Sequence, residues 1–587
     1  MAKLSPVVVV LGNNSISVAK KIISVIPGAK LYGLAGRTYD TDVDVNFTDF
    51  GTTLRELFAD GTPIIGICAT GILIRTLAPL LTNKRQEPPV LAVAEDGSAI
   101  VPLLGGLNGV NNLARQIASV FNIQPAITTT GEIRFGIALE DPPPGYHLSN
   151  PSNAKVFMSD LLAGNSVRLE GNPLWLNWLK SSSLPINSNA ERVIQVTEKN
   201  VFSTPTHLIY HPQAIAIGIS IHQQRDFSES PIPLIPQILA DAELSPASIA
   251  GVFASQLDAA QPEIQGIADA LNVPVRFLAP DELSKAMSRH HTSDVAVAAA
   301  LAASQGKLIS QRKVLNITCA IAIADLPIDT NTTGRPRGRL AIIGTGPGRS
   351  DWMSPEVKNI LSNATDFVGY STYLKLIAAS TPGKHLHESD NREEIVRASL
   401  ALDLAAEGRF VAVVSSGDPG IYAMAAAVFE AWEKEQKPAW QGIDIHVAPG
   451  ISAMQAAAAQ IGAPLGHDFC AVSLSDILKP WSIIEHRILA AAQGDFVIAL
   501  YNPISKQRTW QLTETKKILL NYRSPNTTVV LARNIGRDGE SIKVCTLAEL
   551  SPECADMRTV IIIGSSKTRV IAKPDGGIWV YTPRRYE

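Results

Sequence analysis

At 587 residues the chain is about three to four times an ordinary domain of roughly 150 residues, so several hydrophobic cores are expected. Hydrophobic residues make up 46% and charged residues 18%, with 41 Gly and 38 Pro, a mixture that suits turn-rich α/β domains and excludes a disordered or fibrous chain. Against 54 Asp and Glu stand 51 Lys and Arg, a formal net charge of −3 that offers no basic field to nucleic acid or to an anionic membrane.

The cysteines Cys68, Cys319, Cys470, Cys545 and Cys554 stand singly, which argues for reduced structural thiols and against zinc or a redox pair. The apolar run after Met1 is too short for a signal peptide and lacks a small-residue cleavage site. Residues 445–467 carry no Asp, Glu, Lys or Arg but are broken by Pro449, Gly450, Gly462 and Pro464, so no membrane span is expected. The expectation is a cytoplasmic protein with neither nucleic acid nor membrane as a partner, and, as the commonest soluble assembly, a homodimer.

In chain order, strands are expected at 7–11, 63–68, 89–93 and 126–128, alternating with helical stretches such as 111–120, where Leu113, Ile117 and Val120 recur at helical spacing. Alternation of this kind implies a parallel sheet, and residues 1–135 are read as one α/β domain. Residues 136–213 differ in character, with Pro142-Pro143-Pro144-Gly145 and the Trp175 and Trp178 pair, and form a middle segment of undefined fold. Residues 214–325 read as another α/β domain, containing an Ala-rich helix at 293–304 opened by Ser293-Asp294 and a closing strand at 319–324. The polar stretch 326–338 has no apolar periodicity and reads as a linker to a last unit, 339–587.

In that last unit a strand at 339–343 enters Gly344-Thr345-Gly346-Pro347-Gly348, and Ser354-Pro355 then opens a helix. A nicotinamide site is not supported, because the dinucleotide pattern's last Gly is missing and no acid ends the strand at 367–370. Further strand ends lead into Ser415-Ser416-Gly417-Asp418-Pro419-Gly420-Ile421-Tyr422, Ala448-Pro449-Gly450-Ile451-Ser452-Ala453, Tyr501-Asn502-Pro503 and Ala532-Arg533-Asn534-Ile535-Gly536-Arg537-Asp538-Gly539-Glu540. Ligands of open α/β sheets bind at such ends. Read alone, Asp418 serves a ligand's hydroxyls or an Asx-turn before Pro419, and Arg533 and Arg537 serve carboxylates or solvent.

This set of motifs, in this order, resembles the tetrapyrrole methyltransferases, and within them precorrin-3B C(17)-methyltransferase. The resemblance implies an α/β, multidomain chain with a C-terminal two-lobed tetrapyrrole methylase fold, beside N-terminal parallel-sheet α/β domains. It implies S-adenosyl-L-methionine as cofactor, held by Gly346, Pro347, Ser416, Gly417, Asp418, Ile421, Ser452, Ala453, Asn502 and Ala532. Tyr370, Tyr373, Arg533 and Arg537 are then expected to face a precorrin or cobalt-precorrin macrocycle, methylated at C-17 with ring contraction. Methyl transfer is an in-line displacement served by alignment and a dry site, so no catalytic side chain is assigned.

Toward the N-terminus, Ala69-Thr70-Gly71 turns from strand to helix, and small-residue loops follow at 92–97, 103–112 and 125–131. Residues 1–325 resemble the cobalt-precorrin-5A hydrolases, which open the δ-lactone left by ring contraction. Leu107 stands where that family has His, Ser220 within Gly218-Ile219-Ser220-Ile221-His222-Gln223 where it has Gly-Cys-Arg-Arg character, and Gln261 where it has an acid. Each change removes a charged or titratable group, leaving Arg75, Lys84, Glu95 and His222 as candidates for a hydrolytic site. Two readings stay open for this half: a lactone hydrolase, or a non-catalytic module that binds the tetrapyrrole, docking it on the loops at 69–71 and 105–112. No metal site is expected, since His290 and His291 point apart on a helix.

Overall fold

The computed structural model describes residues 5–26, 28–39, 43–221, 234–314, 316–377, 383–390, 393–505, 508–574 and 576–585. It separates into two compact units, Met1–Arg337 and Gly338–Glu587.

The first unit begins with six strands, β1 (Val7–Val10), β2 (Lys30–Leu34), β3 (Val45–Phe47), β4 (Ile64–Ile67), β5 (Val90–Val93) and β6 (Ile100–Leu104), in the order β3-β2-β1-β4-β5-β6. The first five run parallel, and β1, β4 and β5 are buried on both faces, as their unbroken Val/Ile composition requires. Strand β6 is antiparallel to β5 and closes the edge through a hairpin at Asp96-Gly97, with Gly97 at φ +74. It displaces the strand expected at 126–128, which is irregular: Pro125 offers no N–H, and Ala126 N donates to Ile100 O at 2.8 Å.

The middle segment, undefined from sequence, folds around β7 (Tyr146–Leu148), β8 (Val167–Gly171), β9 (Arg192–Val196) and β10 (His207–Pro212), ordered β7-β10-β9-β8 with β7 antiparallel. Its Trp178 lies edge-on to Tyr210 at 5.3 Å. A five-stranded sheet follows, built from β11 (Ile215–Ile221), β12 (Ile249–Ser255), β13 (Val275–Leu278), β14 (Lys307–Val314) and β15 (Ile317–Ile323), in the order β13-β12-β11-β15-β14. The Ala-rich helix Val295–Ser304, capped by the Asp294 carboxylate, packs directly on β11. Residues 328–335, read from sequence as linker, are hydrogen-bonded: Ile328 N donates to Gln213 O, and Phe277 and Arg335 exchange both backbone bonds.

The second unit has two lobes. In the first, β16 (Arg339–Gly344), β17 (Asp366–Tyr370), β18 (His385–Ser389), β19 (Phe410–Ser415) and β20 (Asp444–Ala448) form an all-parallel sheet ordered β18-β17-β19-β16-β20. The chain winds from β16 through β17 to the edge strand β18, then turns back through β19 to β20 on the other side of β16, and ligands of such sheets bind at the carboxyl ends where winding changes direction. Next come β21 (Gly462–Ala463), β22 (Phe469–Ser473), β23 (Val497–Tyr501), β24 (Thr528–Arg533), β25 (Ser541–Thr546) and β26 (Thr559–Ile563), then the hairpin β27 (Arg569–Ala572) and β28 (Ile578–Tyr581). Most of these form the mixed sheet β22-β23-β26-β24-β25, while β21, β28 and β27 make a small third sheet. Because β26 is antiparallel to both β23 and β24, those two strands end on the same side.

At the opposite, amino end of the first lobe, the buried carboxylate of Asp366 accepts from His387 Nε2 at 2.9 Å, Arg409 Nη1 at 3.0 Å and Thr365 Oγ1 at 2.7 Å. Burial alone raises its pKa, but the hydrogen bonds from His387, Thr365 and Arg409 outweigh it and hold the carboxyl below its ordinary value. A depressed carboxyl stabilises the fold above its unfolded pKa and loses that contribution as pH falls through the folded one. Asp366→Asn is therefore expected to destabilise the protein by roughly 1–3 kcal/mol at neutral pH. Urea unfolding of both proteins should show this gap closing below about pH 4; a gap constant with pH would exclude the ionic contribution.

Candidate active site

Five loops meet at the carboxyl ends of the two large sheets of the second unit. Gly346 and Gly417 exchange backbone bonds, at 3.2 and 2.8 Å, so the loops after β16 and β19 run together as a two-residue ribbon. Both glycines have left-handed backbones, φ +75 and +72, and a Cβ built on either meets nothing nearer than 3.5 Å. The ribbon is therefore neither crowded nor empty on that side, with Trp352 O and Ala453 N at ordinary contact distance. Below it the packing is tighter: a Cβ on Gly450 would lie 2.2 Å from Gly417 O and 2.5 Å from Gly344 O. The loop after β20 fits only because position 450 lacks a side chain.

Asp418 ties these loops together. Its Oδ1 accepts from Gly420 N at 2.8 Å, closing the Asx-turn, and its Oδ2 accepts from Gly450 N at 3.1 Å. Buried Ser452 caps the helix Ala453–Ile461 in a reciprocal box with Gln455. The second lobe joins through Tyr501, whose hydroxyl accepts from Met454 N at 3.2 Å; burial pushes its phenol above the ordinary range. Asn502, at φ +51, donates from Nδ2 to Ser473 Oγ. Ile421 and Ala453 pack with Trp352 against a cluster that contains the buried Ala532.

Arg537 crosses between lobes. Its Nε donates to Pro347 O and its Nη2 to Ser416 Oγ, both at 2.6 Å, so the loop after β24 is clamped to two loops of the first lobe. Arg533 forms a half-exposed ion pair with Asp556 at 2.8 Å. Tyr370 and Tyr373 meet edge to face at 5.4 Å, and burial raises the Tyr373 phenol, partly offset by the Arg537 and Arg397 charges. All the residues expected to hold a cofactor thus lie on one connected set of loops.

Two neighbours were not anticipated. Tyr422, at φ +53, donates its hydroxyl to Ala471 O at 2.9 Å and stands 5.4 Å from the Tyr501 ring. Arg397 is buried in the helix Glu394–Ala406, donating to Ser389 Oγ at 2.7 Å and to Asp390 O. A lone Arg on the apolar side of an Ala/Leu helix was the readable signal for it.

Among the described candidates of the first unit, Arg75 and Glu95 follow the carboxyl ends of the neighbouring strands β4 and β5, and Lys84 lies apart from them. The register aligns Ile64 with Val90 and Leu104, and Ile67 with Val93 and Ile100. Ala69-Thr70-Gly71 therefore leaves one end of the sheet and Gly105 the other, roughly 10 Å apart at 3.3 Å per residue. The two loops expected to dock one macrocycle edge lie at opposite ends. Arg75 is exposed on the helix Thr70–Leu77, and Glu95 is exposed after β5. Lys84 belongs to the other end, where it pairs with Glu140 at 3.5 Å and where Asn108 Nδ2 donates to Glu87 O at 2.7 Å. His222 lies outside the described residues. A buried carboxylate missed in the sequence, Glu132, accepts from Asn111 Nδ2 and pairs with Arg115, each at 2.5 Å. Among the described residues no His/Cys/Asp/Glu group could hold a metal, and no helix is long and apolar enough to cross a membrane.

Residues 339–551 match the Tetrapyrrole (Corrin/Porphyrin) Methylases, residues 52–132 the Cobalamin synthesis G N-terminal family and residues 217–322 the Cobalamin synthesis G C-terminus family. The chain belongs to the tetrapyrrole methylase family, and it joins to that domain both cobalamin-synthesis G segments. It is 48% identical over 249 residues to a precorrin-3B C(17)-methyltransferase from a Sinorhizobium species, covering 42% of this chain and 97% of that protein. It is also 48% identical over 253 residues to the cobalamin biosynthesis protein CobIJ of Mycobacterium tuberculosis, covering 42% of this chain and 48% of that protein. The match thus spans about half the length of that relative. The crystal structure of the methyltransferase CobJ is similar at 50% identity, over 42% of this chain and 100% of that one, with a TM-score of 0.40.

Proposed function

We propose that the chain acts in corrin synthesis, its second unit methylating C-17 of precorrin-3B or its cobalt form, with ring contraction, from S-adenosylmethionine. The observation that carries this reading is the 48% identity across 97% of the Sinorhizobium methyltransferase. The connected loops supply what the reaction asks of a protein. When bound, S-adenosylmethionine supplies an electrophilic methyl group on a sulfonium. The ribbon of Gly346 and Gly417, with Pro347, Ser416 and Asn502, presents backbone and small polar groups to it, and Ile421, Ala453 and Ala532 give it an apolar wall. Asp418 and Ser452 hold those loops in register. Tyr370 and Tyr373 face the macrocycle, with the Arg533 and Arg537 guanidinium groups directed at its carboxylates.

Calorimetry on the full chain should give saturable binding of S-adenosylmethionine and of its demethylated product, and labelled methyl should pass to the tetrapyrrole. Binding without transfer to any precorrin would defeat the substrate assignment. Asp418→Ala is expected to weaken cofactor binding about tenfold with the circular dichroism spectrum retained, since two bonds of a strand-end loop are lost and no core packing. Unchanged affinity would remove Asp418 from the binding site.

For the first unit, the reading favoured is the non-catalytic tetrapyrrole-binding module. Lys84 lies at the opposite end of the sheet from Arg75 and Glu95, and losing one general acid or base typically costs about a hundred- to ten-thousand-fold in rate. Acetaldehyde release from the lactone should be slow or absent with the full chain; rapid release would restore the hydrolase reading.

A further inference from the structure

The helix Pro280–His290 borders an open groove of about 820 Å³, flanked by the end of the helix Val295–Ser304 and by the stretch at Thr332–Gly334. Its volume is that of an organic-ligand site, roughly 300–1,000 Å³, and far exceeds what one inorganic anion needs. Lys285 and Arg289 line it one helical turn apart, on the same face, with His290 beside them. Among the described residues neither Lys285 nor Arg289 is in an ion pair. The one acid in the lining, Glu282, spends its carboxylate on Ala279 N at 2.7 Å, closing the capping box at the far end of the helix. Two cations thus face the groove against one carboxylate, and the balance is positive.

We propose that this groove binds the carboxylate-bearing edge of a tetrapyrrole, making it the docking site of the first unit. The proposal rests on the reading that this unit receives the macrocycle. It places that contact in the residues 217–322 segment, on cations that none of the expected hydrolytic residues include. Propionate and acetate arms match it for two reasons. Lys285 and Arg289 stand one turn apart, so separate arms of one macrocycle can reach each, and a guanidinium takes a carboxylate in two-pronged fashion. A flat ring laid against Gly334 and the carboxyl end of the Ala-rich helix would lie on Leu301 and Ala302, an apolar floor beside the cations.

The test titrates the full chain with an octacarboxylate porphyrin, followed by its Soret shift, and measures methyl transfer separately. Lys285→Glu with Arg289→Glu should weaken the tightest porphyrin phase roughly tenfold or more, as two lost charge-assisted contacts require, and leave methyl transfer unchanged. Lys155→Glu with Lys180→Glu, the same charge change elsewhere on the unit, should leave the titration unaltered. Equal affinity of the wild type and the first pair overturns the groove, as does an equal loss in the control pair or the absence of saturable binding by the wild type. Groove-dependent binding without methyl transfer would count against the methyltransferase reading alone.

Discussion

Gly450→Ala is expected to lower kcat/KM for methyl transfer by at least about a hundredfold, the cost of displacing a reacting pair by roughly 1 Å. The added methyl would sit 2.2 Å from Gly417 O and 2.5 Å from Gly344 O, and both neighbours are backbone that cannot rotate away. The three loops must separate, and Asp418 Oδ2 then loses Gly450 N. Calorimetry should show cofactor affinity falling in parallel. Gly266→Ala is the control: it lies on the helix Pro262–Leu271 with nothing within 4 Å of a new Cβ, and both measurements should be unchanged. Wild-type turnover by Gly450→Ala would mean that the loops do not define the reacting geometry.

Arg537→Lys should cost nearly as much. One ammonium cannot reproduce the fork that reaches Pro347 O and Ser416 Oγ together, so the two lobes lose their clamp although the charge is kept. A roughly tenfold to hundredfold loss in kcat/KM, expressed in both cofactor and tetrapyrrole terms, is the expected result. If only the tetrapyrrole KM rose, Arg537 would be a substrate ligand whose bonds to the first lobe are incidental.

Much of the second unit was legible because its signals are local. Apolar runs and Gly-rich strand ends placed β16, β17, β19, β20, β23 and β24, and Ser354 caps the helix its Ser-Pro motif announces. The same reasoning failed at residues 126–128, which make one backbone bond to Ile100 of β6 but extend no ladder, because Pro125 brings no N–H. It also failed for the middle segment, whose strands are short and whose core depends on aromatic contacts between residues as distant as Trp178 and Tyr210.

By itself the sequence determined which loops exist, that they are small and polar, and which residues sit at strand ends. Period, caps and turn residues are properties of neighbouring positions, and no distant contact can change them. Only the tertiary structure decided what those loops do together. The parallel order around β16, and the shared direction of β23 and β24, bring Pro347, Ser416, Asp418, Gly450 and Arg537 into hydrogen-bond contact across 190 residues of chain. In the first unit one antiparallel strand, β6, sends the loop at Gly105 to the far end of the sheet from Gly71. A strand's direction is set by its partner and not by its residues, which is why two equally plausible sets of loops became one site in one unit and two separate surfaces in the other.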